Sequence, residues 1–194
     1  LMEIEKSEMR VVALDGFRLA LRKENIDGPE KPVSAVVGGK VLGDIAKILS
    51  DSEEAVSMCF SRSHAKLVIG HTNIVARLLE GEFIRYRQIL PAEWQTRVAV
   101  KRSELSSAID RASLMAREGK NNLIRMSVTG DTLAITSNAE LGDVLEELDA
   151  TLSGDPIEIA FNAKYITDVI RNITDDELCM HFNSNVSPCV VSPI

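Results

Sequence analysis

A chain of 194 residues is long enough for one large domain or two of about 100 residues each, and its 45% hydrophobic and 26% charged content is ordinary for a globular protein. No apolar run approaches the roughly 20 residues of a membrane span, and the opening LMEIEKSEM lacks the layout of a signal peptide, so no membrane partner is expected. A net charge of −7, taken alone, argues against a nucleic-acid partner.

Aromatic residues are scarce, so the core must be aliphatic. Cys59, Cys179 and Cys189 stand singly in apolar, strand-like stretches. An odd number without close spacing argues against a disulfide framework or a zinc site and points to reduced structural thiols in a cytoplasmic setting. No initiator Met precedes Leu1, so the chain is expected to begin inside a longer gene product.

In chain order, β-patterned runs predict strands over 9–14, 17–22, 33–37, 55–61, 65–70 and 73–79. A second series covers 97–100, 123–129, 132–137, 143–151, 157–161 and 177–182. Gly, Asn, Asp or Ser punctuates most joins, and Thr129-Gly130-Asp131 and Asn183-Ser184-Asn185 read as tight turns. Helices are predicted over 40–49, 102–118 and 163–173. Their apolar stripes are Leu42, Ile45 and Leu49; Leu105, Ala108, Ile109, Ala112 and Met115; and Ile166, Val169, Ile170 and Ile173. Asn162 is placed to cap the third helix.

The helices recur about every 62 residues. KVLGDIAKIL (40–49) lies without a gap on KYITDVIRNI (164–173), which sets Lys40 on Lys164, Asp44 on Asp168 and Lys47 on Arg171. Each of the two is followed by an acidic turn, 51–54 and 175–177. A Pro-containing link, Leu90-Pro91-Ala92-Glu93-Trp94, separates two strand-rich blocks, so two α+β domains are expected over 1–94 and 95–194. The first is expected to lack a helix the repeat places upstream, and the second to stop one strand short.

Charge placement reverses the first impression. The segments 40–49, 101–120 and 163–173, which contain the three helices, hold nine Lys/Arg against five Asp/Glu, an excess of +4 that leaves −11 on the remainder. Lys40 and Lys47, like Lys164 and Arg171, are seven residues apart and share a face away from the apolar stripe. A weakly basic helix face of this kind suits a non-specific phosphate environment. Ordinary solvated helix faces read the same way, but the pattern occurs twice in equivalent places.

No catalytic constellation emerges. His64, His71 and His181 are not spaced as metal ligands. Cys59 and His64 have no third orienting residue, and no cofactor fingerprint occurs. Gly38-Gly39 reads as a strand-to-helix turn, and Glu146-Glu147 and Asp175-Asp176 as strand-edge and turn residues.

Three strings carry a family resemblance. VVALDGFRLALR (11–22) is similar to the VATDGHRLA-type hairpin in the middle domain of bacterial DNA sliding clamps, the DNA polymerase III beta subunits. LLEGEFIRYRQILP (78–91) resembles the G-x-F-P-x-Y-x-x-V-L-P link of that family, and FNAKYITDVI (161–170) resembles the helix start of its last domain. Their order and spacing match, and the resemblance covers essentially the whole chain.

The resemblance implies duplicated clamp-type α+β domains, with antiparallel sheets outside and helices packed on the inner face. It implies a head-to-tail ring dimer around duplex DNA that catalyses nothing, needs no cofactor, and tethers the replicative polymerase and the clamp loader through short linear motifs. Matched position by position, the partner cleft takes Leu14, Gly16, Phe17, Arg18, Leu19, Ile84, Ile89, Asn162, Tyr165 and Val186. Lys40, Lys47, Arg102, Arg111, Lys164 and Arg171 are the DNA-facing residues, and Leu114 and Met115 the dimer contact. Ile84 stands where the family has Pro, and the family's closing PxRL strand is absent, which is expected to remove one cleft wall. The alternative is a peptide-binding adaptor of the same architecture that never encircles DNA.

Overall fold

Met2 and Ile4 alternate with Glu3 and Glu5, and this period-two pattern forms β1 (Met2–Glu5), a strand beyond those expected from the sequence. The computed structural model describes residues 1–49, 54–118, 122–140 and 142–194, which divide into two units, Leu1–Arg85 and Tyr86–Ile194. The division precedes the Pro91 link, where the sequence marks its break. The link packs into the second unit: the Trp94 ring lies 5.1 Å from that of His181, and the adjacent Gln95 N–H donates to the Phe182 carbonyl at 3.0 Å and to Asn183 Oδ1 at 3.2 Å.

In the first unit, β1 joins β2 (Glu8–Leu14), β3 (Leu19–Asn25) and β4 (Val33–Ala35) in an antiparallel sheet of order β3-β2-β1-β4. The strand expected from Phe17 starts at Leu19 because Asp15 binds the intervening backbone in a turn. Helix α1 (Gly39–Ile48) precedes a three-stranded sheet of β5 (Val56–Phe60), β6 (His64–Ile69) and β7 (Thr72–Arg77). The α1 stripe buries Ile45 with Ala65 and Leu67, flanked by Val41, Leu42, Phe60 and Ile74. A bridge between Val37 and Leu78 links the two sheets. The acidic turn expected after α1 falls on 51–54, of which 51–53 lie outside the described residues.

The second unit runs β8 (Thr96–Lys101), α2 (Arg102–Glu118), β9 (Leu123–Thr129), β10 (Thr132–Ala139), β11 (Gly142–Gly154), β12 (Ile157–Asn162), α3 (Ala163–Arg171), β13 (Glu177–Phe182) and β14 (Val190–Pro193). Its strands form one antiparallel sheet, order β12-β9-β10-β11-β8-β13-β14. Leu105 and Ile109 of α2 and Ile166 and Ile170 of α3 are buried with Val98, Met126, Ile135, Leu178 and Phe182 from the sheet. A strand at Val190–Pro193, beyond those expected from the sequence, pairs with β13 and forms the edge of the sheet. Glu146 and Glu147 lie in β11 opposite Ile135 and Ala134 of β10 and are paired on that side alone, because β8 joins β11 only from Ala150 to Gly154, so the strand-edge reading holds.

The duplication extends well beyond the helices. A shift of 124 residues carries Met2 onto Met126 and Gly39 onto Ala163, and every strand pairing of the first sheet survives it. Met2 opposite Val11 becomes Met126 opposite Ile135, and Met2 opposite Ala35 becomes Met126 opposite Ile159. Ile4 opposite Val33 becomes Val128 opposite Ile157, and Leu14 opposite Leu19 becomes Asn138 opposite Asp143. A one-residue slip in either copy would turn its apolar side chains to the wrong face, so the shared register reflects a shared burial pattern. Within its own unit, each of α1 and α3 therefore follows the equivalent strand of an equivalent sheet.

Candidate functional site

The β2–β3 hairpin tip is organised by one carboxylate. Asp15 Oδ1 accepts from the backbone N–H of Phe17 at 2.8 Å and of Arg18 at 3.0 Å, while Oδ2 accepts from Arg18 Nε at 3.1 Å. The Phe17 N–H is the main cause that holds the Asp15 carboxyl below its ordinary range, with Arg18 adding to it. Asp-Gly at a turn is a signal readable from sequence, but its consequence is structural: Phe17 is presented to solvent at 79% exposure. Leu14 and Leu19, directly opposite each other at the base of this hairpin, are half-buried, and Gly16 is exposed. Ile84, also in the first unit, is 57% exposed.

The remaining residues expected for the cleft belong to the second unit, and Ile89 is among them. It follows a short 3-10 turn at Tyr86–Gln88, donates its N–H to the Tyr86 carbonyl at 3.0 Å, and is exposed. Asn162 caps α3 as expected, its Oδ1 accepting from Lys164 N–H at 3.0 Å. Tyr165, one turn further, is half-buried. Val186 is 89% exposed in the loop between β13 and β14, where its N–H donates to Ser184 Oγ.

The expected DNA-facing cations are on helix surfaces, but most have an anionic partner. Lys47 Nζ lies 3.2 Å from Asp44, Lys164 Nζ 3.3 Å from Asp168, and Arg171 3.9 Å from Asp110 on α2. Arg111 makes a two-pronged bond to Glu146 on β11, at 2.8 and 2.6 Å. That bond is the first cause holding the Glu146 carboxyl down and the Arg111 guanidinium up. Arg102 Nε donates to the Asp175 backbone carbonyl at 2.9 Å. Lys40 is exposed on the first turn of α1. The carboxylates Asp44, Asp110, Glu146 and Asp168 were not read from the sequence as partners of these cations. Two of them are legible as i,i+3 and i,i+4 helix pairs, whereas Arg111–Glu146 and Arg171–Asp110 cross between elements and leave no local signal.

Leu114 is 62% exposed on α2, and Met115 is half-buried. The buried stripe runs Leu105, Ala108, Ile109, Ala112 and then Ala116, so Ala116 takes the core position that the periodicity assigned to Met115. The thiol reading is also sharpened. Cys179 is buried and burial pushes the Cys189 thiol up to about 12, while Cys59 is exposed on β5 opposite Lys66. His64 faces Arg77 across the β6–β7 pair, and its ring lies 2.9 Å from Ser63 Oγ. No group of three or more His, Cys, Asp or Glu able to hold a metal occurs among the described residues. No helix among them is long and apolar enough to cross a membrane.

The domain model described as DNA polymerase III beta subunit, central domain, matches residues 1–84, and the one described as its C-terminal domain matches residues 87–194. The chain belongs to the DNA polymerase III beta subunit family. The beta sliding clamp of Staphylococcus aureus is 34% identical to it over 192 residues, 98% of this chain and 51% of that relative. In structure, the DNA polymerase sliding clamp of Bacillus subtilis matches with a TM-score of 0.94 at 32% identity, over 98% of this chain and 51% of that one. The DNA polymerase III beta subunit of Thermotoga maritima matches with a TM-score of 0.94 at 29% identity, over 100% of this chain and 53% of that one. The chain thus spans about half the length of the beta subunits it matches.

Proposed function

We propose that the chain acts as part of a cytoplasmic DNA sliding clamp, a non-catalytic processivity factor that encircles duplex DNA as a ring dimer and tethers the replicative polymerase and clamp loader. The observation that carries this reading is the match of two consecutive beta-subunit domains, central then C-terminal, in order along the chain. Sliding needs attraction to phosphate that is weak and indifferent to sequence, with topology preventing escape, and exposed helix cations such as Lys40 and Lys164 suit that need. Tethering raises the local concentration of a partner at DNA without any new chemistry.

Partner motifs are proposed to engage Leu14, Gly16, Phe17, Arg18, Leu19 and Ile84 on the first unit, and Ile89, Asn162, Tyr165 and Val186 on the second. An aromatic ring and a guanidinium presented together at a rigid turn, as Phe17 and Arg18 are, have the character of binding anchors. Leu114, exposed on α2, is proposed with Met115 for the dimer contact.

The adaptor reading has one observation in its favour, the carboxylate partners of the helix cations. Reversal of Lys40, Lys47, Lys164 and Arg171 to Glu separates the two. Duplex binding, followed by anisotropy of a labelled random-sequence duplex over a salt series, should be lost in a clamp. An adaptor would bind no duplex before or after the change.

A further inference from the structure

We propose that Asp44, Asp110, Glu146 and Asp168 set the strength of the helix surfaces toward duplex DNA, each holding a neighbouring cation partly neutralised so that phosphate is met weakly. The proposal rests on the duplex-binding reading above and deepens it. The placement is systematic rather than incidental. Asp44 and Asp168 occupy equivalent positions in the duplicated units, each 3.2–3.3 Å from a lysine of its own helix. The lysines differ: Asp44 takes the one three residues ahead, Lys47, and Asp168 the one four residues behind, Lys164. The unit that uses Asp168 on Lys164 then supplies Asp110, from α2, to Arg171 at 3.9 Å. Glu146 reaches from the sheet to Arg111 with both oxygens, from a side chain only 20% exposed.

A lysine alone presents a monopole to a passing phosphate, whereas a lysine 3.3 Å from a carboxylate presents a dipole, whose field falls off faster with distance. For a phosphate to gain the full cation it must displace the carboxylate. Exposed pairs of this kind are weak and exchange readily, so contact is possible but yields little net attraction. Each cation so masked also releases less counterion on contact, which flattens the salt dependence. The helices therefore keep enough positive charge to tolerate DNA and too little to grip it.

The test uses the whole chain and a fluorescein-labelled random-sequence linear duplex, titrated at several salt concentrations. Asp168→Asn, Asp44→Asn and Glu146→Gln should each tighten binding about three- to tenfold at low salt and steepen the salt slope by up to about 0.9 per cation released. Glu158→Gln is the control: it makes the same change in net charge beside Arg125 on the sheet, 3.3 Å away, and should change affinity less than about twofold. The proposal alone is overturned if Lys164→Ala weakens duplex binding while the three carboxylate variants do no more than Glu158→Gln. If no protein in the set, wild type included, binds duplex at any salt, the proposal and the duplex-binding reading fall together.

Discussion

Lys6 and Gly130 occupy the same position of the duplicated unit, the first residue of the two-residue turn between the paired strands, and both have positive φ, 54° and 60°. Glycine adopts this left-handed region without cost, whereas an L side chain pays about 1–2 kcal/mol in steric strain. Lys6→Gly should therefore stabilise the first unit by about 0.5–1 kcal/mol, the strain relieved less the extra flexibility of glycine when unfolded. Urea unfolding would show it as a higher midpoint with an unchanged slope. A lower midpoint would mean that the lysine side chain makes a compensating contact.

A second pair of equivalent residues predicts opposite effects in the two helices. Gly38 precedes α1 with φ −61° and ψ 130° and has no side chain to cap it; Asn162 precedes α3 with φ −68° and ψ 121° and does cap it. The backbone of Gly38 is thus already in cap geometry, and its missing Cβ would meet only a Val41 methyl at 3.9 Å. Gly38→Asn should stabilise by a few tenths of a kcal/mol, and Asn162→Ala should cost about 1 kcal/mol. Both are measurable by thermal unfolding, and the sign of the first is the sharper test.

How much was legible in the sequence follows from how local each signal is. All three helices were, because their stripes repeat at helical spacing, and so was the Asn162 cap. The strand at Met2–Glu5 was not, since only four residues separate Leu1 from the turn at Lys6. Val190–Pro193 was not, because its apolar pair is short and runs into Pro193. For the candidate site, the Asp15 turn and the helix-internal pairs could be read, while Arg111–Glu146, 35 residues apart, required the register of β11 against α2. Phe17, beside Asp-Gly at a hairpin, was legible as a surface residue, but the turn that holds it out was not, since the strand was expected to start at Phe17 and starts at Leu19 instead.

His181 gives the second unit a pH dependence. Burial lowers its pKa first, and Arg97, directly opposite on β8, lowers it further; Arg97 is itself held in place by a bond from its Nε to Cys179 Sγ at 2.9 Å. Above the ordinary histidine range of about 6.5 the ring is neutral folded and unfolded, and its contribution is fully present. Below it the unfolded chain takes the proton first, so stability falls as pH falls toward the folded value. Wild type should lose more stability between about pH 7.5 and 5.5 than His181→Gln does. Trp94, the one tryptophan of the chain, lies against His181 with ring centroids 5.1 Å apart and the planes tilted by 40°, so quenching of its fluorescence on protonation tracks the same step. Identical pH slopes for the two proteins would remove His181 from the account.

The partner surface is tested most directly at Phe17 and Tyr165, one residue from each unit. Phe17 is 79% exposed, so truncation removes little folded-state packing, and Phe17→Ala should leave stability within about 0.5 kcal/mol of wild type. If a partner motif packs an apolar anchor on that ring, the same change removes about 1.5–3 kcal/mol of burial, a loss of roughly ten- to 150-fold in affinity. Asp15→Ala separates position from contact. It keeps the ring but removes the acceptor for the Phe17 and Arg18 N–H groups, so it should give a smaller loss than Phe17→Ala. Tyr165→Ala should weaken binding comparably while costing more stability, because Tyr165 is half-buried on α3. The measurement is titration of a fluorescently labelled clamp-binding peptide into wild type and the three variants, with unfolding curves alongside. Affinity unchanged in both Phe17→Ala and Tyr165→Ala would show that partner motifs bind elsewhere. A loss in Asp15→Ala as large as in Phe17→Ala would show instead that the turn, rather than the ring, is what the partner reads.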